Sequence, residues 1–163
     1  MQLYVMRHGI AVPHGTPGVA EDQRPLTPDG EKRVKEIGRG LKALGVAIDR
    51  IVSSPLPRAL RTAEIVADEL KAKGLLETSD VLRAGYNADA VREWLIERSE
   101  ERLMIVGHNP AFSDLVALLV TGQSKLAICE LRKGGVAALE GSPGARMTLD
   151  WLARPKLLRT LED

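Results

Sequence analysis

The sequence predicts an α/β fold: a three-layer sandwich whose mostly parallel sheet, extended by antiparallel strands at its end, is flanked by helices. Three observations carry that expectation. Short apolar runs alternate with longer stretches of helical periodicity. Two of those runs, Leu3–Met6 and Leu103–Val106, are wholly apolar, as strands covered on both faces are. The stretch Leu126–Leu152 reads as successive strands joined by glycine-rich turns.

Each element follows from local chemistry. Leu3–Met6 is a buried strand that feeds Arg7-His8-Gly9. Ile10–Pro25, with three prolines, two glycines and no period, is a loop of functional length. Thr27 caps a helix that Pro28 opens, with Asp29 and Glu31 in its first turn. Val34, Ile37, Leu41 and Leu44 recur at helical spacing until Gly45 stops the run. Arg50–Ser54 is a second strand. A helix follows over Pro57–Lys73, with Leu60, Ile65, Ala67 and Leu70 inward and Gly74 at its end. Glu77–Leu82 is a short strand, and Ala88–Arg98 a helix with Val91, Trp94 and Leu95 inward. Leu103–Val106 runs into Gly107-His108-Asn109-Pro110, and a helix over Pro110–Val120 ends at Gly122. Leu126–Leu152 holds three strands, with turns at Gly134-Gly135 and Gly141–Gly144. No linker, repeat or low-complexity tract interrupts this order.

Composition bounds the function. At 163 residues and 44% hydrophobic content, the chain suits one domain with a substantial core. The 23 basic and 22 acidic side chains nearly cancel, which argues against a coat for nucleic acid or for a membrane surface. Tyr4, Tyr86, Trp94, Phe112 and Trp151 are too few and too scattered to stack bases. Cys129, the single cysteine, can form neither an internal disulfide nor a thiolate metal cage, so a reducing compartment is expected. It reads as a small core side chain in an apolar strand. No basic leader precedes an apolar run, and the longest such run, Leu115–Val120, is far short of the roughly 20 residues that span a bilayer. The expectation is a soluble cytoplasmic monomer with no nucleic-acid or membrane partner.

In sheets of this kind ligands sit at the carboxyl ends of the parallel strands. The first strand delivers Arg7 and His8 there, and the strand Leu103–Val106 delivers His108. The strand at Ile51–Ser53 leads through Pro55-Leu56-Pro57 to Arg58, in the first turn of a helix. A cation in that turn opposes the macrodipole at a cost of roughly a few tenths of a kcal/mol, which points to an anion nearby. Two arginines and two histidines without metal-ligand spacing match a phosphate held by fixed cations. One imidazole then attacks phosphorus while the other groups stabilise the equatorial oxygens.

The RHG motif Arg7-His8-Gly9 after an N-terminal strand, Ser53-Ser54-Pro55 with Arg58 and Thr62-Ala63-Glu64, and Gly107-His108-Asn109 together resemble the histidine phosphatase superfamily. Arg24-Pro25-Leu26-Thr27-Pro28 with Gly30, the small size and the lack of insertions over the site are similar to its SixA-like phosphohistidine phosphatases. The likeness spans Met1–Val120 with the motifs in order. It implies a phosphoglycerate-mutase-like fold forming a single histidine phosphatase domain over residues 1–163. It implies His8 as the nucleophile that becomes a transient phosphohistidine, with Arg7, Arg58 and His108 completing the phosphate pocket and Arg24 near it. It further implies no metal and no organic cofactor. The expected substrate is phosphohistidine in a protein, such as a histidine-phosphotransfer domain.

One departure bears on the substrate. Larger relatives carry a carboxylic general acid after the strand that follows the Arg58-type helix, where this chain reads Leu82-Arg83-Ala84-Gly85-Tyr86. Asp80, Asp89, Glu21 and Asp22 are the nearest carboxylates, and the general acid is left open between Asp80 and Asp22 as the candidates. The missing acid matters little for a labile P–N bond and much for an alkyl phosphate, whose leaving group needs a proton. A broad small-molecule phosphomonoesterase using Asp80 or Asp22 is the alternative enzyme. A non-catalytic phosphate- or phosphohistidine-binding module is the alternative of another class, disfavoured by the intact His8. Mutase activity is disfavoured by the chain's length.

Blander readings accompany each residue. His8 taken singly is a strand-end histidine satisfied by backbone, and Arg58 a surface partner of Glu64 or of a loop acid. Arg24 equally bridges the first loop to Asp22 or Asp29. Arg61 is a surface charge, and His14 a solvated loop residue. Gly38-Arg39-Gly40 lies inside a helix, so it is no dinucleotide loop. Gly141-Ser142-Pro143-Gly144 lacks the spacing of a nucleophile elbow, and position 135, six past Cys129, is Gly135 where a cysteine phosphatase needs arginine.

Overall fold

Leu3, Tyr4, Val5 and Met6 are all buried, although successive residues of a strand point to opposite faces. A strand can do this only when helices cover both sides of the sheet. The computed structural model, which describes residues 1–161, shows that arrangement around β1 (Gln2–Arg7). Leu3 and Val5 enter one core, and Tyr4 and Met6 the other.

The sheet has six strands in the order β3-β2-β4-β1-β5-β6. β2 (Arg50–Ser53), β3 (Leu76–Thr78) and β4 (Arg102–Gly107) join β1 in a parallel block. β5 (Val136–Gly141) and β6 (Met147–Ala153) add to it antiparallel. On one face, α1 (Pro28–Ala43) and α2 (Pro57–Glu69) pack with α5 (Pro155–Thr160), bringing Val34, Ile37, Val66 and Leu158 against Met6, Ile51 and Met104. On the other, α3 (Ala88–Ile96) and α4 (Ala111–Thr121) bring Leu95, Phe112 and Leu115 against Val5, Val52 and Ile105. The sandwich with a mixed, mostly parallel sheet is as expected. None of the helices among the described residues is long and apolar enough to cross a membrane.

Helix ends show where local signals govern and where packing overrides them. Thr27 caps α1 by accepting from the Gly30 N–H, with Pro28 behind it. At the other end Gly45 N–H bonds the Lys42 carbonyl and Val46 N–H the Leu41 carbonyl, a Schellman closure. Leu44 is therefore the exposed cap of α1, not one of its inner residues. α2 closes the same way four residues before the expected Lys73. Lys71 N–H bonds the Asp68 carbonyl, Ala72 N–H bonds the Ala67 carbonyl, and Lys71 takes the left-handed conformation (φ 56°) usually left to glycine. Burial of Ala72 in the core offsets that strain, and Gly74 is not the stop signal. Leu60 and Leu70 are only half-buried; Ile65 and Ala67 are buried as expected, joined by Ala59, Thr62, Ala63 and Val66.

Other differences have plain causes. β3 is shorter than expected, because a 3-10 turn takes Asp80–Leu82. α3 ends at Ile96, with Trp94 half-buried under the Arg98 guanidinium, 4.9 Å from the ring centre. Leu126–Leu152 holds two strands, not three. The stretch 122–135 is a loop, and its backbone at Leu131 bonds to side chains instead of a ladder. Cys129 is thus half-buried in that loop, not in a strand. α5, which sequence reading did not anticipate, starts at Pro155 and is too short to show a period.

Leu158, fully buried between α5 and α1, tests whether this last helix is integral. Leu158→Ala is expected to lower stability by about 2–5 kcal/mol in urea unfolding; a loss near zero would mark α5 as peripheral.

Candidate active site

The site begins with register. Arg7 lies opposite Gly107 across the β1–β4 pair, so the next residues, His8 and His108, leave adjacent strands at one level. The ladder continues one step further, His8 N–H donating to the Gly107 carbonyl at 3.0 Å. The two imidazole centres come to 5.2 Å with their planes at 55°. β2 runs beside β4, and Ser54 N–H donates to the Val106 carbonyl at 2.9 Å. That step sends the chain over Leu56 into α2, whose second residue is Arg58. His8, Arg58 and His108 are each about nineteen-twentieths buried, with exposures of 5%, 4% and 4%.

Backbone carbonyls hold the two arginines. Arg7 Nη1 donates to the Leu131 carbonyl and Arg58 Nη1 to the Glu21 carbonyl, both at 3.0 Å. Gly9 links the first motif to α2: its N–H donates to Thr62 Oγ1, which donates to the Arg58 carbonyl at 2.7 Å. A Cβ on Gly9 would sit 2.5 Å from Val34 Cγ2, so this peptide requires glycine to lie against α1.

His8 Nδ1 lies 2.7 Å from the Gly9 carbonyl, which can only accept. Nδ1 therefore carries the hydrogen, and Nε2 keeps a free lone pair. Burial holds the His8 ring at a pKa of about 3, and His108, Arg58 and Arg7 push the same way against the Gly9 carbonyl. Burial likewise brings His108 to about 3, helped by Arg58, Arg24 and Arg7. Both rings are neutral near pH 7. Burial also lowers the pKa of Arg7 and of Arg58, without approaching neutrality. Among the described residues, five buried side-chain nitrogens have no hydrogen-bond partner. Those on Arg33 and Arg50 face the carboxylates of Asp29 and Glu77. The other three are Arg7 Nε, Arg58 Nε and His108 Nδ1.

The remaining expected residues separate. Arg24 bridges the loop, but to Glu21 through Nε and Nη2 and to the Val12 carbonyl through Nη1, not to Asp22 or Asp29. Its charge still acts on Arg58 and His108. The hydrogen bonds from Arg24 and His14 hold the Glu21 carboxyl at about 2. His14 is exposed beside it. Asp22 lines a shallow cleft with Glu21, Leu56, Arg58, Arg83 and Ala84. Asp80 lies outside that cleft, exposed and 3.6 Å from Arg83. Arg61, not Arg58, pairs with Glu64, and also with Glu31, at the surface. No group of three His, Cys, Asp or Glu side chains among the described residues is arranged to hold a metal ion.

The sequence motifs contain Thr62 and Asn109 but assign neither a supporting role, and they omit Ser113. The role of Thr62 was detectable, since it follows Arg58 by four residues and shares its helix face. That of Asn109 and Ser113 was not: besides bonding each other they hold the Leu131 backbone, a contact set only by the fold.

Two outcomes follow. Unfolding returns both rings to an ordinary value near 6.5, so between about pH 3 and 6.5 the unfolded chain binds protons that the folded chain refuses. Their stabilisation is complete above that window and is lost as pH falls through it. In histidine NMR titrations, neither ring should titrate between about pH 8 and pH 5. Thr62→Val should strand the buried Gly9 N–H, lowering stability by about 1–3 kcal/mol by thermal or urea unfolding and weakening binding of inorganic phosphate.

Comparison with known proteins agrees with this geometry. Residues 3–84 match the model of the histidine phosphatase superfamily, branch 1. An uncharacterised protein of Picosynechococcus is 37% identical over 145 residues, 85% of this chain and 84% of that one. Phosphohistidine phosphatase SixA of Escherichia coli K12 is 28% identical over 158 residues, 95% and 94% of the two chains. The solved structure of the protein histidine phosphatase SixA complexed with tungstate has a TM-score of 0.83 at 26% identity, over 96% of this chain and 98% of that one. Strand-end histidines, buried arginines and these likenesses agree, and the chain belongs to the histidine phosphatase superfamily, branch 1, in its SixA-like form.

Proposed function

We propose that the chain, as one domain over residues 1–163, is a phosphohistidine phosphatase that carries the phosphoryl group on His8 and acts on a protein substrate. A histidine-phosphotransfer domain is the kind of partner this implies, in the cytoplasm. Family membership makes it a phosphatase working through a histidine intermediate. The observation that carries the finer reading is the pairing of a neutral Nε2 lone pair with unsatisfied buried donors on Arg7 and Arg58 and an unpartnered ring nitrogen on His108. A SixA relative complexed with tungstate, a tetrahedral oxyanion, supports a pocket of this kind.

The chemistry balances without a cofactor. His8 Nε2 attacks phosphorus in line, and the substrate's P–N bond breaks with its electron pair leaving on the substrate imidazole, which takes a proton from solvent. Arg7, Arg58 and His108 hold the equatorial oxygens, which gather charge in the transition state. Water then attacks the phosphohistidine, the Nε2–P bond breaks, and inorganic phosphate leaves with His8 neutral again. Arg24, already paired with Glu21, adds long-range positive potential at the pocket edge. The reaction needs no strong general acid, which suits a cleft beside Arg58 whose carboxylates, among the described residues, are Glu21 and Asp22.

Asp22 in that cleft favours a second reading, a small-molecule phosphomonoesterase in which it protonates an alkoxide; Asp80, exposed beside Arg83 and not among the cleft's lining residues, is the weaker candidate. Phosphate release from a phosphohistidine-bearing protein and from an alkyl phosphate such as glycerol phosphate, with chelator present, separates the two. Metal-independent release from the protein is expected, reduced at least about a thousand-fold by His8→Ala and about a hundred-fold or more by Arg58→Ala. Asp22→Asn should leave it unchanged. Preference for the ester, lost in Asp22→Asn, would support the second reading. No release from either substrate would leave a non-catalytic phosphate-binding module.

A further inference from the structure

We infer that Ser54 is a positioning residue, whose hydroxyl fixes His108 in the Nδ1–H tautomer and so supplies a ring donor to the phosphoryl group. The inference rests on the reading that this pocket holds phosphate.

Ser54 and His108 are buried, at 0% and 4% exposure, and Ser54 Oγ lies 2.7 Å from His108 Nε2. The same oxygen accepts the Leu56 N–H at 3.2 Å, so one of its lone pairs is occupied. Two proton arrangements then compete. If Ser54 donates to Nε2, the ring hydrogen sits on Nδ1, and one buried donor is left without a protein partner. If Nε2 carries the hydrogen, the Ser54 hydroxyl hydrogen and the Nδ1 lone pair are both left without partners. Each stranded buried group costs about 1–3 kcal/mol, so the first arrangement is preferred. A phosphoryl oxygen accepts from an N–H and repels a lone pair, so only this tautomer serves the pocket.

The need for such a device comes from the ring's neutrality. A protonated imidazole donates from both nitrogens whatever surrounds it, whereas burial and three nearby arginines keep His108 neutral near pH 7. A neutral ring must be told which nitrogen carries its hydrogen. His8 receives that instruction from the Gly9 carbonyl and His108 from a hydroxyl, with opposite demands: His8 presents a lone pair and His108 a hydrogen. Ser53, whose hydroxyl donates to the Ser54 carbonyl, has no part in this.

Long-range proton–nitrogen correlation spectra of 15N-histidine-labelled protein read the tautomer directly, with and without inorganic phosphate. The wild type is expected to show His108 protonated at Nδ1. Ser54→Ala should move the ring toward the Nε2–H form, weaken inorganic phosphate binding about ten-fold or more, and lower kcat on the phosphohistidine protein by about ten- to a hundred-fold. Ser54→Thr, which keeps the hydroxyl, should restore the Nδ1–H signal and most of the affinity. A wild-type ring protonated at Nε2, or a Ser54→Ala protein with tautomer and phosphate affinity unchanged, would overturn the inference. Wild-type protein that shows the Nδ1–H tautomer and hydroxyl dependence yet releases no phosphate would uphold this role for Ser54 and refute the catalytic reading.

Discussion

The parallel pairing of β1 with β4, with Arg7 opposite Gly107, is the constraint on which the candidate site depends. One residue of slip would turn the apolar side chains of either strand to the wrong core and would separate the two histidines. The buried residues, four on β1 and five on β4, lock this register from both sides of the sheet. The cores therefore do more than stabilise: they determine the level at which His8 and His108 emerge. β2 fits the same frame through Ser54 N–H and the Val106 carbonyl, and brings Arg58 in from a third direction.

The charges in the pocket are held but not cancelled. Arg7 and Arg58 are anchored by backbone carbonyls, which direct a guanidinium without neutralising it. Arg24 and Arg61, by contrast, are matched to the carboxylates of Glu21, Glu31 and Glu64. Holding uncancelled cations there carries a cost, and they reinforce the burial that chiefly lowers the pKa values of both imidazoles. An anion bound between them would offset it. Burial together with that field keeps His8 unprotonated, the state its proposed role as a nitrogen nucleophile requires.

Small polar groups translate this field into geometry. Thr62 ties Gly9 to the Arg58 carbonyl, and the Asn109–Ser113 pair holds the Leu131 backbone whose carbonyl grips Arg7. Each support is an uncharged donor–acceptor pair, which positions a neighbour without altering the potential around it. The loop 122–135 is accordingly part of the site's framework, although it contributes no expected phosphate ligand of its own.

Local pattern along the chain was enough for several parts of this protein. Continuous apolar runs marked β1 and β4 as doubly covered strands, and the residues just beyond them, Arg7, His8 and His108, were legible because such strands end at the ligand edge. Thr27-Pro28 marked a helix start for the same local reason. Only the tertiary structure decided what depends on distant partners. It decided that Arg24 is spent on Glu21, and that Asp22 and not Asp80 lines the cleft. It decided that α2 stops at a buried alanine, and that residues 122–135 form a loop bound to Arg7 rather than a strand. The reason is physical: periodicity and capping act over a few residues, whereas the Arg7–Leu131 bond joins groups 124 residues apart, and only folding makes them neighbours.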